Sequence, residues 1–168
     1  EMCIRDRKYP AAKDVEWETR NDYLIVDFKQ DKVEKEAWFD NSGTWYMTET
    51  DIPFAQLPDA VKTAFQQGEY STWKVDDVDM IERRDVETVY VIETEQGNSE
   101  VDLYYSPDGI LVKTVLDAGG NDGYEDFIPS QPSSSVDAYI KEHYPSARIL
   151  DIDREKGVTE VEILDGTV

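Results

Sequence analysis

Two segments of the same layout decide the fold: residues 37–45 (AWFDNSGTW) and residues 103–111 (LYYSPDGIL). Each predicts a strand, a tight turn and a second strand, because aromatic and aliphatic residues flank a turn-forming cluster that contains a glycine. Glycine adopts the positive φ that hairpin loops often need. At the same offset upstream, residues 23–28 (YLIVDF) match residues 89–94 (VYVIET). The chain therefore repeats a pattern of strands and a turn.

Helical spacing occurs in two other places. Apolar residues recur at i, i+3 and i+4 from Val61 to Phe65 and again from Val136 to Ile140. This spacing places them on one helical face. Proline, aspartate and serine residues precede both segments and favour helix starts. We therefore predict helices over residues 57–67 and 136–144.

Together these patterns predict an α+β fold of tandem repeats, each with a helix packed on one face of a roughly four-stranded antiparallel sheet. The predicted order is a leader outside the fold (1–8), a first repeat without its helix (9–51), a complete second repeat (52–118), a linker (119–131) and a third repeat that stops after two strands (132–168).

Composition excludes several classes of function. The 168 residues carry a formal charge of −21, which opposes binding to nucleic acid or to anionic membranes. No apolar run reaches the roughly 20 residues of a membrane-spanning helix. A single cysteine rules out an internal disulfide, and this leaves the compartment open. A basic protein partner or a divalent cation remains compatible with the charge.

Residues with catalytic chemistry are few. His143 is the only histidine and lies at a predicted helix end, Cys3 lies in the leader, and the serines at 133–135 precede a helix. No glycine-rich phosphate loop or zinc spacing is present. We predict that the protein is not an enzyme and has no cofactor or metal site. Acidic residues around the glycines at 119–123 leave Ca²⁺ binding as an alternative, although their spacing differs from that of an EF-hand loop.

The strand alternation indicates a possible binding face. Trp38 and Tyr104 occupy equivalent positions in the two repeats, and each shares its face with acidic residues. We predict that this face is accessible and binds a partner protein, with a rim of Glu34, Glu36, Glu100 and Asp102 that favours a basic partner. The alternative is that the face packs against another unit of the same chain. The predicted partner-binding residues are Tyr23, Ile25, Trp38, Val89, Val91 and Tyr104.

The chain resembles a known family in the sequences YPSA (144–147) and YPAA (9–12) and in the hairpins that contain Gly43 and Gly109. These features are similar to the PepSY-like, β-lactamase-inhibitor-like repeats of exported proteins from gut Bacteroidetes. The resemblance covers nearly the whole chain after Tyr9. The second repeat departs from it, with YSTW (70–73) where proline and alanine are expected.

The resemblance implies a helix followed by four strands in each repeat, export to the periplasm or outside the cell, and a binding role, since PepSY domains are associated with the restraint of peptidases. No signal peptide is visible in this chain. The function that we expect is a non-enzymatic exported binding module, inhibitor-like toward a peptidase-type partner. The alternative is a structural or Ca²⁺-binding protein of the cell envelope with no inhibitory role.

Overall fold

The structure is a computed structural model that describes residues 8–20, 23–117, 134–155 and 158–165. Residues 1–7 of the predicted leader and the whole predicted linker lie outside the described residues.

Eight strands form one antiparallel sheet in which each strand pairs with its neighbour in the sequence. They are β1 (Lys13–Arg20), β2 (Tyr23–Gln30), β3 (Val33–Asp40), β4 (Trp45–Asp51), β5 (Lys74–Arg83), β6 (Val86–Gln96), β7 (Ser99–Tyr105) and β8 (Leu111–Asp117). A separate antiparallel hairpin consists of β9 (Arg148–Glu155) and β10 (Val158–Leu164).

Two α-helices lie in the described part of the chain: α1 (Asp59–Gln67), which follows a short 3-10 turn at Phe54–Gln56, and α2 (Ser134–His143). Both agree with the predicted helices to within two residues at each end. In the described residues no helix is long and apolar enough to cross a membrane.

The predicted fold class was wrong. The chain is mostly β-sheet, and the two predicted four-stranded units are fused into one continuous sheet. Fusion occurs because β4, the last strand of the first unit, pairs antiparallel with β5, the first strand of the second, from Met47 opposite Arg83 to Asp51 opposite Asp79. Pairing satisfies backbone groups that would otherwise lie at two open sheet edges.

One face of the sheet, called the helix face, packs against α1. Val61 and Phe65 of α1 are buried against Val78, Ile92 and Leu103 of the sheet. Full burial of an aliphatic or aromatic side chain contributes about 1.5–3 kcal/mol, so this layer provides much of the stability of the β5–β7 half.

Over the β1–β4 half of the helix face, Tyr9 occupies the position above the sheet. Its ring packs 4.7 Å from that of Phe28, and its hydroxyl is hydrogen-bonded to the Thr48 hydroxyl. Burial raises the pKa of Tyr9 to about 12, so this hydroxyl keeps its proton at physiological pH. Val26, Ala37 and Phe39 complete the cluster.

The two repeated hairpins have the same turn geometry. Gly43 and Gly109 have φ values of 83° and 84°. In the first turn the Asp40 carboxylate accepts hydrogen bonds from the backbone N–H groups of Ser42 and Thr44, at 2.9 and 2.7 Å. In the second turn the equivalent residue, Ser106, accepts from the Ile110 N–H at 3.2 Å.

Candidate functional site: an acidic groove

All six predicted partner-binding residues lie on the sheet face opposite α1, called here the groove face. Five of them belong to one apolar cluster with Met47 and Ile81, and the sixth, Tyr23, packs against it. Strand register explains the grouping, because Ile25 is opposite Trp38 and Val91 is opposite Tyr104. The structure therefore brings together residues from both predicted repeats.

The expected accessibility of this cluster was wrong. Ile25, Trp38, Val89, Val91 and Tyr104 are each 0% exposed. A role for the six residues in partner binding stays a prediction, and direct contact would require the cover over them to open.

Side chains of the sheet itself cover Trp38. The Tyr23 ring lies 5.8 Å away and the Arg20 guanidinium lies over the indole at 5.6 Å. The indole N–H donates to the Glu36 carboxylate. Aromatic and cation–π contacts of this kind stabilise the covered arrangement. Trp38 is therefore held inside the protein.

The β9–β10 hairpin is attached near the β6 end of the cluster. The buried Arg83 guanidinium forms an ion pair with Asp151 at 2.9 Å and donates to the backbone carbonyls of Glu87 and Leu150. Burial lowers the pKa of Arg83, while the Asp151 carboxylate opposes that shift. Arg148 adds contacts to Asp108 at 2.7 Å and to Glu87 at 3.3 Å. The alternative that this face packs against another unit of the chain therefore agrees with the structure.

A groove of about 420 Å³ lies on this side of the protein and is lined by residues from β1 to β5. Carboxylates predominate in its lining, with nine acidic residues against two lysines. The lining consists of Asp14, Glu16, Asp27, Phe28, Lys29, Glu34, Lys35, Glu36, Glu49, Asp51, Asp77 and Asp79.

Four of these carboxylates are successive cross-strand neighbours. Glu16 of β1 is opposite Asp27 of β2, Asp27 is opposite Glu36 of β3, and Glu36 is opposite Glu49 of β4. This line of four is called the acidic row. Beside it, Asp51 of β4 is opposite Asp79 of β5. Like charges directly opposite each other destabilise a sheet, by about 0.2–1 kcal/mol for each pair.

Raised pKa values of the carboxyl groups lower this repulsion, because a protonated carboxyl group carries no charge. Burial, and then the charges of Asp79 and Glu36, raise the pKa of Glu49 to about 9, so Glu49 is neutral at pH 7. Burial also raises the pKa of Glu36, against the lowering effect of the Trp38 hydrogen bond. The pKa of Asp27 is raised by burial and, to a smaller extent, by the charges of Glu18 and Glu16. The row is thus an environment in which negative charge is unfavourable.

Neither lysine of the lining neutralises the row among the described residues. Lys29 is ion-paired with Glu34, and Lys35 donates to the Thr50 hydroxyl at 2.8 Å. The buried Oε2 atom of Glu49 has no hydrogen-bond partner in the described part of the protein. The groove is therefore complementary to positive charge that an external partner would bring.

Other residues considered for chemistry have local roles. The Nδ1 atom of His143 lies 3.0 Å from the Tyr139 carbonyl oxygen. The His143 ring stacks on the Tyr139 ring with centroids 4.0 Å apart. Cys3 lies outside the described residues. Within the described ranges, no group of three or more His, Cys, Asp and Glu side chains could hold a metal ion.

The acidic groove was only partly foreseen. Glu34 and Glu36 belong to the predicted rim, whereas Asp27 and Glu49 were not singled out. Asp79 was interpreted as part of a solvated strand start, and it is buried. The available signal was that each of these residues occupies the groove-face phase of its strand. Strand register was needed to show that they are neighbours, because Glu36 and Glu49 are 13 positions apart in a sequence that is acidic throughout.

Comparison with known proteins gives a family match over most of the chain. A family model described as beta-lactamase-inhibitor-like, PepSY-like matches residues 22–113 and 124–167. Among curated proteins, none matches the chain.

Several solved structures are similar. A BLIP-like protein from Bacteroides fragilis is 36% identical, with a TM-score of 0.66 over 77% of this chain and 89% of that one. A DUF2874 family protein from Bacteroides ovatus is 31% identical, with a TM-score of 0.71 over 75% of this chain and 93% of that one. A protein from Bacteroides eggerthii, provisionally described as periplasmic, is 20% identical with a TM-score of 0.69 and shares the fold over 71% of this chain and 88% of its own.

The family model covers well over half of the chain, and two similar structures exceed 30% identity over three quarters of it. The chain belongs to the PepSY-like, beta-lactamase-inhibitor-like family.

Proposed function

We propose that the protein is a non-enzymatic binding module that takes an extended, basic segment of a partner protein into its acidic groove. The family indicates a non-catalytic, binding-type module. The observation that carries the proposal is the acidic row, in which Glu16, Asp27, Glu36 and Glu49 are successive cross-strand neighbours.

Charge complementarity supports a cationic occupant. A lysine or arginine side chain beside Asp27 and Glu36 would replace carboxylate repulsion with attraction. A hydrogen bond to a charged group contributes about 1.5–3 kcal/mol, which corresponds to roughly tenfold or more in affinity. The formal charge of −21 would also speed the approach of a basic partner at low salt.

The dimensions of the groove favour an extended segment. Neighbouring strands lie about 4.8 Å apart, so the four steps from β1 to β5 span about 19 Å, or about six extended residues. The partner class that we propose is an extracytoplasmic protein of the peptidase type that the module restrains. The likeness to a BLIP-like protein supports an inhibitor-like role, and the periplasmic description of a structural neighbour supports an extracytoplasmic partner.

The test is calorimetric titration with a lysine- and arginine-rich hexapeptide and, as control, a glutamine-rich hexapeptide of equal length. The double variant Asp27→Asn/Glu36→Gln removes two charges from the row. The matched control, Glu69→Gln/Glu142→Gln, removes two exposed charges outside the groove lining. We expect the basic peptide alone to bind and the row variant to weaken it about tenfold, with the control unchanged.

Equal binding of the glutamine peptide, or equal affinity in the row variant, would contradict the proposal. A parallel Ca²⁺ titration tests the alternative of a structural or Ca²⁺-binding envelope protein. Stoichiometric Ca²⁺ binding without peptide binding would favour that alternative. Inhibition of extracytoplasmic peptidases by the wild-type protein, with loss in the row variant, would establish the restraining role.

A further inference from the structure

The two edges of the eight-stranded sheet differ in how they are protected against further pairing. On β1, five of the eight residues are charged, the register is interrupted between Lys13 and Glu16, and Asp14 has a φ of 50°. Charges and bulges are the means by which edge strands avoid pairing with other chains. On β8 (LVKTVLD) two of the seven residues are charged.

The β8 edge also exposes large apolar side chains. Leu111 and Leu116 are 46% and 72% exposed. Both lie on the helix face, since they are opposite Tyr105 and Val101 of β7. The core beneath α1 includes those two β7 residues and leaves the leucines outside it. The apolar layer beneath α1 therefore ends at β7, and the two leucines of β8 form an apolar surface that another element could cover.

The backbone of β8 is also available for contact with a further element. Its inner side pairs with β7, and within the described residues no strand pairs with its outer side. Outward N–H and C=O groups of an edge strand are a template for an added strand. The occupant that satisfies both the backbone and the leucines is an extended chain with apolar residues at every second position.

Carboxylates beside the groove face of β8 indicate which chain fits. Asp151, Glu160 and Glu162 of the β9–β10 hairpin line a depression of about 180 Å³ together with Val112 and Lys113 of β8. These three carboxylates outnumber the one lysine of the lining. Basic residues on the groove face of an added strand would be complementary to this excess of negative charge. A second copy of this chain would bring a further charge of −21, which opposes self-association.

We propose that β8 is a second interaction surface, on which an extended segment of a partner protein, apolar on one side and basic on the other, adds as a ninth strand. This surface is separate from the groove, whose lining comes from β1 to β5.

The experiment uses the full chain and a peptide that alternates valine with lysine. The control peptide has the same side chains, with alternate backbone amides N-methylated so that it cannot complete a ladder. Hydrogen exchange of the protein amides reports where the peptide binds. We expect the unmethylated peptide to slow exchange of the β8 amides about tenfold, and the methylated peptide to leave it unchanged.

Two variants provide the matched comparison. Leu116→Lys charges the β8 edge at an exposed position, and Trp17→Lys does the same on β1, where Trp17 is 45% exposed. We expect the first to reduce the peptide's protection of the β8 amides at least about tenfold and the second to leave that protection unchanged. Leu111→Lys repeats the test should Leu116→Lys alter the circular dichroism spectrum.

The outcomes separate this surface from the groove. The variant Asp27→Asn/Glu36→Gln should still bind the alternating peptide at β8, even if the groove proposal fails. Protection confined to β1–β5, or equal protection of the β8 amides by the methylated peptide, would overturn the proposal. Concentration-dependent dimerisation of the protein alone that Leu116→Lys abolishes would also overturn it, because the occupant would then be a second copy.

Discussion

Glu49 lies at the inner end of the acidic row, with Glu36 opposite it on β3. Its raised pKa, about 9 against an ordinary 4.5, means that the folded protein binds this proton more tightly than the unfolded chain does. The associated stabilisation is fully present below about pH 4.5 and is lost as the pH rises through 9. Glu49 therefore makes the folded state less stable in alkali.

Glu49→Gln should flatten this pH dependence, because glutamine is neutral at every pH and nearly the same shape. We expect the free energy of unfolding of the wild type to fall more steeply than that of the variant between pH 5 and pH 9. We also expect the variant to be the more stable of the two at pH 9. Urea titrations at three pH values measure the difference. Parallel curves for the variant and the wild type would contradict it, and the exposed change Glu142→Gln is the control.

At the scale of single elements, the β7–β8 turn packs against the first turn of α1. A Cβ atom built on Gly109 would lie 2.6 Å from the carbonyl oxygen of Ala60, and the φ of Gly109 is 84°. Gly97, in the β6–β7 turn, has a φ of 68° and nothing within 4 Å of its Cβ position. The two glycines share a left-handed backbone, and only the first also requires close contact with a helix.

Gly109→Ala should therefore destabilise the protein more than Gly97→Ala. A left-handed alanine costs about 1–2 kcal/mol in either turn. At position 109 the clash with α1 adds to that cost, and we expect a total loss above about 2 kcal/mol. Chemical denaturation of both variants provides the comparison. Equal losses at the two positions would show that the turn yields without disturbing α1.

The sequence predicts individual elements well where a local period exists. The apolar spacing from Val61 to Phe65 predicts α1, and the alternation around Trp38 predicts a strand, because both patterns involve residues that are close in the sequence. No such local pattern predicts the fusion of β4 with β5. The segment that contains the whole of α1 separates the two strands, and residues such as Met47 and Arg83 become neighbours only in the folded sheet. Long-range register decides whether two repeats remain separate sheets or become one.

The candidate site shows the same limit. Sequence alternation placed Tyr23, Ile25, Trp38 and their counterparts on one face, and the structure groups them there. Their burial depends on Arg20, Tyr23 and the β9–β10 hairpin, which lie over or beside the cluster through contacts that no local pattern reveals. The acidic row likewise exists only after four strands are aligned.

At the scale of the whole molecule, Arg83 joins the large sheet to the hairpin. Its side chain is 2% exposed and its partner, Asp151, is 15% exposed. Removal of one member of a buried ion pair costs about 3–5 kcal/mol, because the remaining charge is left without compensation. Arg83 also satisfies two backbone carbonyls, those of Glu87 and Leu150.

Arg83→Met should therefore destabilise the protein by about 3 kcal/mol, and Asp151→Asn by a comparable amount, since it leaves the more deeply buried Arg83 charge without its partner. The double variant should lose less than the sum of the two, because both changes remove the same ion pair. Urea denaturation of the three variants completes the cycle. Strict additivity would mean that the two residues act independently.

The nearest-neighbour order of β1 to β8 also bears on how the chain folds. Each strand finds its partner through a connection to the next segment of the sequence, and even the longest of these connections contains only the 3-10 turn and α1. The entropy lost on loop closure is small when contacts are local, and folding rates rise as contact order falls. The sheet can thus grow hairpin by hairpin from several starting points. Docking of Leu150 and Asp151 near Arg83 joins residues 67 and 68 positions apart, so we expect that contact to form after the local hairpins.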